Sequence, residues 1–215
     1  MAGLYIAFDG SSPSRLDEVA KHMRFGDESE FRFNDDISYV WLSHDNKENF
    51  SPAIDPVSGV HCIVGGRLCW PEEVWLSATK LPYTGGVANR VLLDRFLRDG
   101  PNAVAPYNGA ATVIIWVPET RMAHIWTDQF GYHPAFIFGE EKKISPRVFT
   151  TFPDAVTKDS SLNVEYDEVS MAEFLRAWRV TPPHTYYKKL KHFGAATYGR
   201  VDLNTQTIKK EEYWR

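Results

Sequence analysis

Residues 107–138 read YNGAATVIIWVPETRMAHIWTDQFGYHPAFIF. Three apolar runs, 111–117, 122–128 and 135–140, are rich in β-branched and aromatic residues. They are separated by PETR (118–121) and QFGYHP (129–134). Runs this short, punctuated by turn residues, predict strands joined as an antiparallel meander. In the second connection Asp128, Gly131 and Pro134 are expected to shape the turn, with Gly131 at positive φ. The longest apolar run, VIIWV (113–117), is far too short to span a bilayer.

Outward from this stretch, the texture alternates between short strands and helical faces. GLYIAF (3–8) reads as a strand. SSPSRLDEVAKHM (11–23) follows, with Ser12 or Ser14 as a cap, Pro13 at a first helical position, and Leu16, Val19, Ala20 and Met23 on one face. FGDESEFRFNDD (25–36) is polar and turn-rich. DISYVWLSHD (36–45) and GVHCIVGGRLCW (59–70) read as strands. Gly65-Gly66 interrupts the second, which predicts a bulge or a close backbone approach. PEEVWLSATK (71–80) and VANRVLLDRFLRDG (87–100) read as helices, the latter ended by Gly100-Pro101. VFTTF (148–152) is a short strand, and VSMAEFLRAWRV (169–180) a helix stopped by Thr181-Pro182-Pro183. ATYGRVDL and KKEEYW close the chain as strands around the turn NTQT. The pattern predicts one α+β domain over 1–215: two packed antiparallel sheets, covered by helices at 87–99 and 170–179.

Composition narrows the function. The net charge of −4 disfavours nucleic acid as the main partner, because phosphate binding needs a basic surface. Lys188, Lys189 and Lys191 read as a solvated face. Cys62 and Cys69 are the only cysteines, on opposite faces if one strand carries both, so no disulfide, zinc or redox site is expected. Two thiols without a disulfide framework fit a reducing cytoplasm, and Asp9 interrupts the one N-terminal apolar run, against a signal peptide. The seven histidines show no HxxxH spacing and read as surface or satisfied core residues. Glu72-Glu73 and Glu140-Glu141 are adjacent and read as solvated charge. GxGxxG, GxxxxGK[ST] and GxSxG are all missing from the sequence.

Four segments taken in order carry a family resemblance. VGGRLCW (64–70) stands where asparagine-synthetase-like enzymes have an NGEIYN strand. The stretch from LLDRFLRDG through PYNGAATVIIWVPETRMAHIWTDQFGYHPAFIF is similar to that family's acidic helix, Leu-Asn-Gly, strand, hairpin and Asp-x-x-Gly-x-x-Pro-x-Tyr. DEVSMAEFLRAWRVTPPHTYYKKLKHFGAATYGRVDL resembles its helix, Pro-containing turn and strand, and EEYWR carries its closing Tyr-Trp. MRFGDES (23–29) is a degenerate echo of its Arg-Gly-Pro-Asp. The chain thus resembles the N-terminal glutaminase domain of that family, a class II glutamine amidotransferase.

The resemblance implies an N-terminal-nucleophile (Ntn) hydrolase fold, four layers αββα with two stacked antiparallel sheets between helices. In active members a cysteine exposed by removal of the initiator Met attacks the glutamine side-chain amide. Ala2 occupies that position here, so no catalytic residue is expected. The family's oxyanion Asn and the following Glu align with Gly65 and Arg67, around Gly66. Its Ser-Gly-x-Asp loop, which holds the substrate amine and carboxylate, aligns with Thr84-Gly85-Gly86-Val87. The expected Arg of the second strand is not evident in WLSHDN (41–46). The implied role is a catalytically silent glutaminase-like domain that supports or docks an ATP-dependent, amide-forming synthetase domain in cis or in trans. ATP and Mg²⁺ are expected only in that second domain; here no cofactor, metal, nucleic acid or membrane is expected. An exposed apolar patch is expected at the docking face, with a homodimer contact as its alternative occupant. The other readings are a free-standing module binding a small ligand or peptide, and an amide hydrolase using Ser11, Ser12 or Thr84.

Overall fold

The structure, a computed structural model, describes residues 3–9, 13–43, 47–105, 107–139 and 146–214. Ala2, Ser11, Ser12, His44 and the Glu140-Glu141 pair lie outside the described residues, as do the side chains of Pro13 and Ser14. In chain order the elements are β1 (Gly3–Ala7), α1 (Pro13–Met23), β2 (Ser29–Asn34), β3 (Ser38–Ser43), α2 (Lys47–Phe50), β4 (Ala53–Ile54), β5 (His61–Leu68), α3 (Glu72–Ala78) and α4 (Val87–Asp99). They continue with β6 (Gly109–Val117), β7 (Met122–Thr127), β8 (Phe136–Gly139), β9 (Pro146–Thr150), α5 (Glu168–Ala177), β10 (Leu190–His192), β11 (Thr197–Asp202) and β12 (Thr207–Glu212).

Among the described residues the strands form two six-stranded sheets, ordered β10-β8-β9-β1-β3-β2 and β12-β11-β7-β6-β5-β4. The pairings are antiparallel, with β5, β6 and β7 contiguous at the centre of the second sheet. Period-two alternation sorts each strand between two cores. Leu4, Ile6 and Phe8 face Ile63, Ile114, Trp116 and Ile125 of the other sheet. Tyr5 and Ala7, one residue out of step, pack with Leu16, Val19, Ala20 and Met23 of α1. On the far side Cys62, Val64, Val113 and Ile115 meet Ala88, Leu92 and Leu93 of α4. The layers are therefore α1, sheet, sheet, α4. The inner core is dense in large rings, each worth about 1.5–3 kcal/mol when fully buried. One of them, Trp41, also donates its indole N–H to the Val64 carbonyl across the sheets at 2.9 Å.

Three expectations are corrected. Residues 29–34 form the edge strand β2, not a turn region. Phe31 and Phe33 point inward and stack on Tyr39 at 6.0 and 5.5 Å, while Glu30 and Arg32 face out. Half-exposed edge strands carry such charge, which masks a short alternation. The last helix stops at Trp178, whose left-handed φ of 57° ends it before the prolines are reached. Nor does that helix cover a sheet: in α5 only Ser170 is buried, and Leu175 is 78% exposed. By contrast α4 covers its sheet as expected and ends on Gly100 at φ 80°. Cys62 is buried and Cys69 exposed, both as free thiols. No helix is long and apolar enough to cross a membrane among the described residues.

Candidate functional site at the mouth of the sandwich

The start of β1 is pinned by threonine hydroxyls. Leu4 N–H donates to Thr151 Oγ1 at 2.9 Å, and the Leu4 carbonyl accepts from Thr150 Oγ1 at 3.0 Å and from Thr151 N–H at 2.9 Å. The alternation that sends Leu4 and Phe149 between the sheets places Thr151 there as well. Opposite lies the glycine pair of β5, where Gly65 pairs with Thr112 and Gly66 with Ala111 on β6. This end of the inter-sheet space is polar, whereas its centre is apolar.

The glycines make room for one side chain. A Cβ placed on Gly65 would lie 3.0 Å from His133 Cε1, 3.3 Å from Thr151 Cγ2 and 3.4 Å from Leu4 Cβ. At Gly66, where φ is 100°, it would lie 2.9 Å from His133 Cδ2 and 2.3 Å from the Ala110 carbonyl oxygen. The imidazole of His133 therefore rests along the Gly65-Gly66 ribbon, with Nδ1 3.4 Å from Thr112 Oγ1. The close backbone approach expected of these glycines is present at Gly66, against the Ala110 carbonyl of β6, and the His133 ring, which sequence reasoning leaves aside, lies beside both glycines. Its one signal was its place directly before Pro134, inside the Asp-x-x-Gly-x-x-Pro motif.

Asp128 holds His133 there. Its buried carboxylate accepts the backbone N–H of Phe130, Tyr132 and His133 at 3.1, 2.9 and 2.9 Å. Gly131 sits at φ 68° and Ala196 N–H donates to the Asp128 carbonyl at 2.9 Å. Asp128 is thus the centre of a turn, as its motif position leads one to expect. Asp128→Ala should cost about 2–3 kcal/mol, because three N–H groups lose a charged acceptor. Thermal unfolding measures this, and a loss below about 0.5 kcal/mol would mean that the turn holds itself.

The other aligned positions have different neighbours. Gly85, at φ 84°, would place a Cβ 1.9 Å from the Pro52 carbonyl oxygen, and one on Gly86 would lie 2.6 Å from Ser51 N and O. These two glycines press the 84–87 loop onto residues 49–53. Thr84 exchanges backbone hydrogen bonds with Ile54, and its hydroxyl donates to the Ile54 carbonyl at 3.2 Å. Val87 opens α4, two residues before the fully buried Asn89, which donates to the Phe50 and Ser51 carbonyls at 3.1 and 2.9 Å. Arg67, at the exposed end of β5, shares the face of Gly65 by alternation and so stands at the rim of the mouth. The histidines expected to be satisfied in the core include His61, 3.0 Å from the Tyr39 hydroxyl, and His124, 2.7 Å from that of Tyr198. Among the described residues no three His, Cys, Asp or Glu side chains converge as a metal site would require.

A sandwich of antiparallel sheets between helix layers, with its first strand starting at a polar mouth, defines an Ntn-hydrolase-type domain. Residues 76–214 match the family model described as a glutamine amidotransferase domain, and the chain belongs to that family. Its fold is similar to glutamine phosphoribosylpyrophosphate (PRPP) amidotransferase from B. subtilis complexed with ADP and GMP. The likeness has TM-score 0.66 at 10% identity and covers 99% of this chain and 49% of that one. It is also similar to a structure described as the allosteric regulatory enzyme of purine biosynthesis, with TM-score 0.55 at 12% identity, covering 98% of this chain and 42% of that one. The chain thus spans about half or less of the length of these two proteins. No curated protein matches the sequence.

Proposed function

We propose that this is a catalytically silent glutaminase-like domain of an asparagine-synthetase-like, amide-forming enzyme. The observation that carries this reading is the geometry at Gly65. Stabilising a tetrahedral intermediate needs a donor aimed at the developing oxyanion. Position 65, aligned with the family's Asn, has no side chain, and the space beside it holds the His133 imidazole. Gly86 and Val87 supply no carboxylate for a substrate amine, and Ala2 no nucleophilic atom.

The role left to the domain is structural. It docks on an ATP-dependent synthetase domain, in cis or in trans, where ATP and Mg²⁺ would be used. An exposed aromatic cluster supports such a contact. Phe130, Tyr132 and Trp214 are 66, 75 and 46% exposed, and the Phe130 ring lies 5.5 Å from Tyr132 and 5.4 Å from Trp214. Apolar surface of this kind marks protein contacts. Tyr213 anchors the cluster by donating its hydroxyl to the Thr127 carbonyl at 2.6 Å. Glutamate release by the Ala2→Cys protein tests the silence.

A further inference from the structure

The second sheet carries an aromatic row on the face that α4 covers. Trp126 of β7 stands directly opposite Tyr198 of β11, and Tyr198 directly opposite Glu211 of β12. Paired residues of neighbouring strands share a face, so these three side chains form one line across the sheet. Tyr213 continues the ladder beyond β12, its N–H donating to the Ala196 carbonyl at 2.9 Å. By alternation it projects on the same side as Glu211. The rings are held in place. Trp126 and Tyr198 stack at 4.9 Å, the Tyr198 hydroxyl lies 2.7 Å from His124 Nδ1, and Phe130 meets Trp214 edge-on.

The helical cover stops short of this row. Phe96 of α4 touches Trp126 edge-on at 6.5 Å, the helix ends at Gly100, and the turn Pro101–Ala103 follows. Between that turn and the row is a cavity of about 250 Å³, lined chiefly by Asn102, Trp126, Tyr198, Glu211, Tyr213 and Trp214. Trp126 and Tyr198, nearly buried, form its floor, and the half-exposed Trp214 its rim.

Four rings and one carboxylate set the chemistry. Burial raises the pKa of both the Tyr198 and the Tyr213 phenol to about 12, so both are neutral near neutral pH. Glu211 is the one charged side chain on the lining among the described residues. Its carboxylate has no ion-pair partner among them and bears instead on the Tyr198 phenol. Arg200 and Lys209, next on the same face, line an adjoining cavity together with Asp202 and are not paired with Glu211. The carboxylate disfavours an anion, and a compact, strongly hydrated cation gains little from aromatic rings. A cation with apolar substituents gains twice: the ring quadrupoles attract its charge, and its alkyl groups fill the apolar space. We infer that this cavity binds a small alkylated ammonium, its head group against the aromatic row and its charge toward Glu211. The site lies on the outer face of the second sheet, whereas the glutaminase mouth lies between the sheets, so it stands independently of the silence of that mouth.

Choline carries such a head group, and its neutral isostere has carbon in place of the quaternary nitrogen. Titration of the whole chain, followed by calorimetry and tryptophan fluorescence, should give choline a Kd of about 1 mM or below, and the isostere binding about tenfold or more weaker. Glu211→Gln should weaken choline about fivefold or more and leave the isostere unchanged, whereas Trp214→Ala should weaken both. Both positions are at the surface, so the circular dichroism should not change. A peptide bearing trimethyl-lysine, titrated alongside, separates the sources of the head group. Binding about tenfold tighter than choline places the ammonium on a protein partner; equal or weaker binding places it on a free small molecule. The inference is overturned by the failure of both choline and the peptide to bind at about 20 mM, by equal affinity for choline and its isostere, or by a Glu211→Gln chain that binds choline unchanged.

Discussion

Asp159→Ala should lower the stability of this domain by about 3–5 kcal/mol, a large share of what a single domain usually has. Asp159 is 2% exposed and accepts from Arg15 Nε and the Tyr5 hydroxyl, as well as from Ser161 N–H at 3.0 Å and its hydroxyl at 2.9 Å. It ties β1, α1 and the turn Pro153–Lys158 to one another. Burial alone would raise its pKa, but the hydrogen bonds from Arg15 and Tyr5 and the Arg15 charge hold it below the usual carboxylate range. Burial, with the Asp159 charge added, pushes the Tyr5 phenol far above its ordinary value. Without Asp159 the 9%-exposed Arg15 keeps only the partly exposed Asp9, at 2.8 Å, and Tyr5 loses its acceptor. The melting temperature should fall by about 10 °C, taking about 2–4 °C per kcal/mol at this size. Arg147→Ala removes a surface pair with Asp9 at 3.1 Å and a weak hydrogen bond to the Ser161 carbonyl at 3.3 Å, and should cost about 1 kcal/mol or less. Equal losses for the two variants would show that the buried network is not a special support.

Mild acid should be the second large effect. Burial lowers the pKa of His61 to about 4, partly opposed by the Asp35 charge. Burial, reinforced by Arg200, lowers that of His124 to about 4 as well. The unfolded chain titrates its histidines near the ordinary value of about 6.5. Between these values the unfolded state binds more protons, so stability falls as pH drops from about 6.5 toward 4, and these two groups add no further loss below that. Each contributes about 2–3 kcal/mol over the window. Carboxylates with lowered pKa, such as Asp159 and Asp167, act mainly below it, since their unfolded values lie near 4. Urea unfolding between pH 7.5 and 4.5 should show the loss, and His124→Gln should flatten the slope even if it is less stable at neutral pH. A flat profile would mean that these rings are hydrated or already protonated in the fold.

Much of the architecture was legible because the inner strands are buried on both faces. VIIWV and MAHIWT read as strands from their apolar density and flanking turns, and the 87–99 helix from its broad face and terminal glycine. What misled was exposure. The alternation of β2 spans only Phe31 and Phe33, set among charges. Residues 168–177 show an apolar helical pattern that ordinarily means burial, yet Leu175 and Trp178 face outward. Pattern reports which residues share a face; it does not report whether a partner covers that face. The site was legible in its glycines and not in what approaches them. Gly65-Gly66 announced a close approach, but His133 comes from another strand connection, and complementarity across the two sheets leaves no local signature.

The central claim, that the pocket no longer supports glutaminase chemistry, is tested by glutamate release from the Ala2→Cys protein, with Met1 removal verified by mass spectrometry and the unaltered chain as control. A thiol alone restores neither the oxyanion donor, worth about a hundredfold to a thousandfold in rate, nor the groups that hold the substrate amine and carboxylate. With Gly65, His133 and Val87 as they stand, release should stay within about twofold of the control, far short of what one donor supplies. Sustained turnover about a hundredfold or more above it would contradict the account and show a working pocket that lacks only its nucleophile.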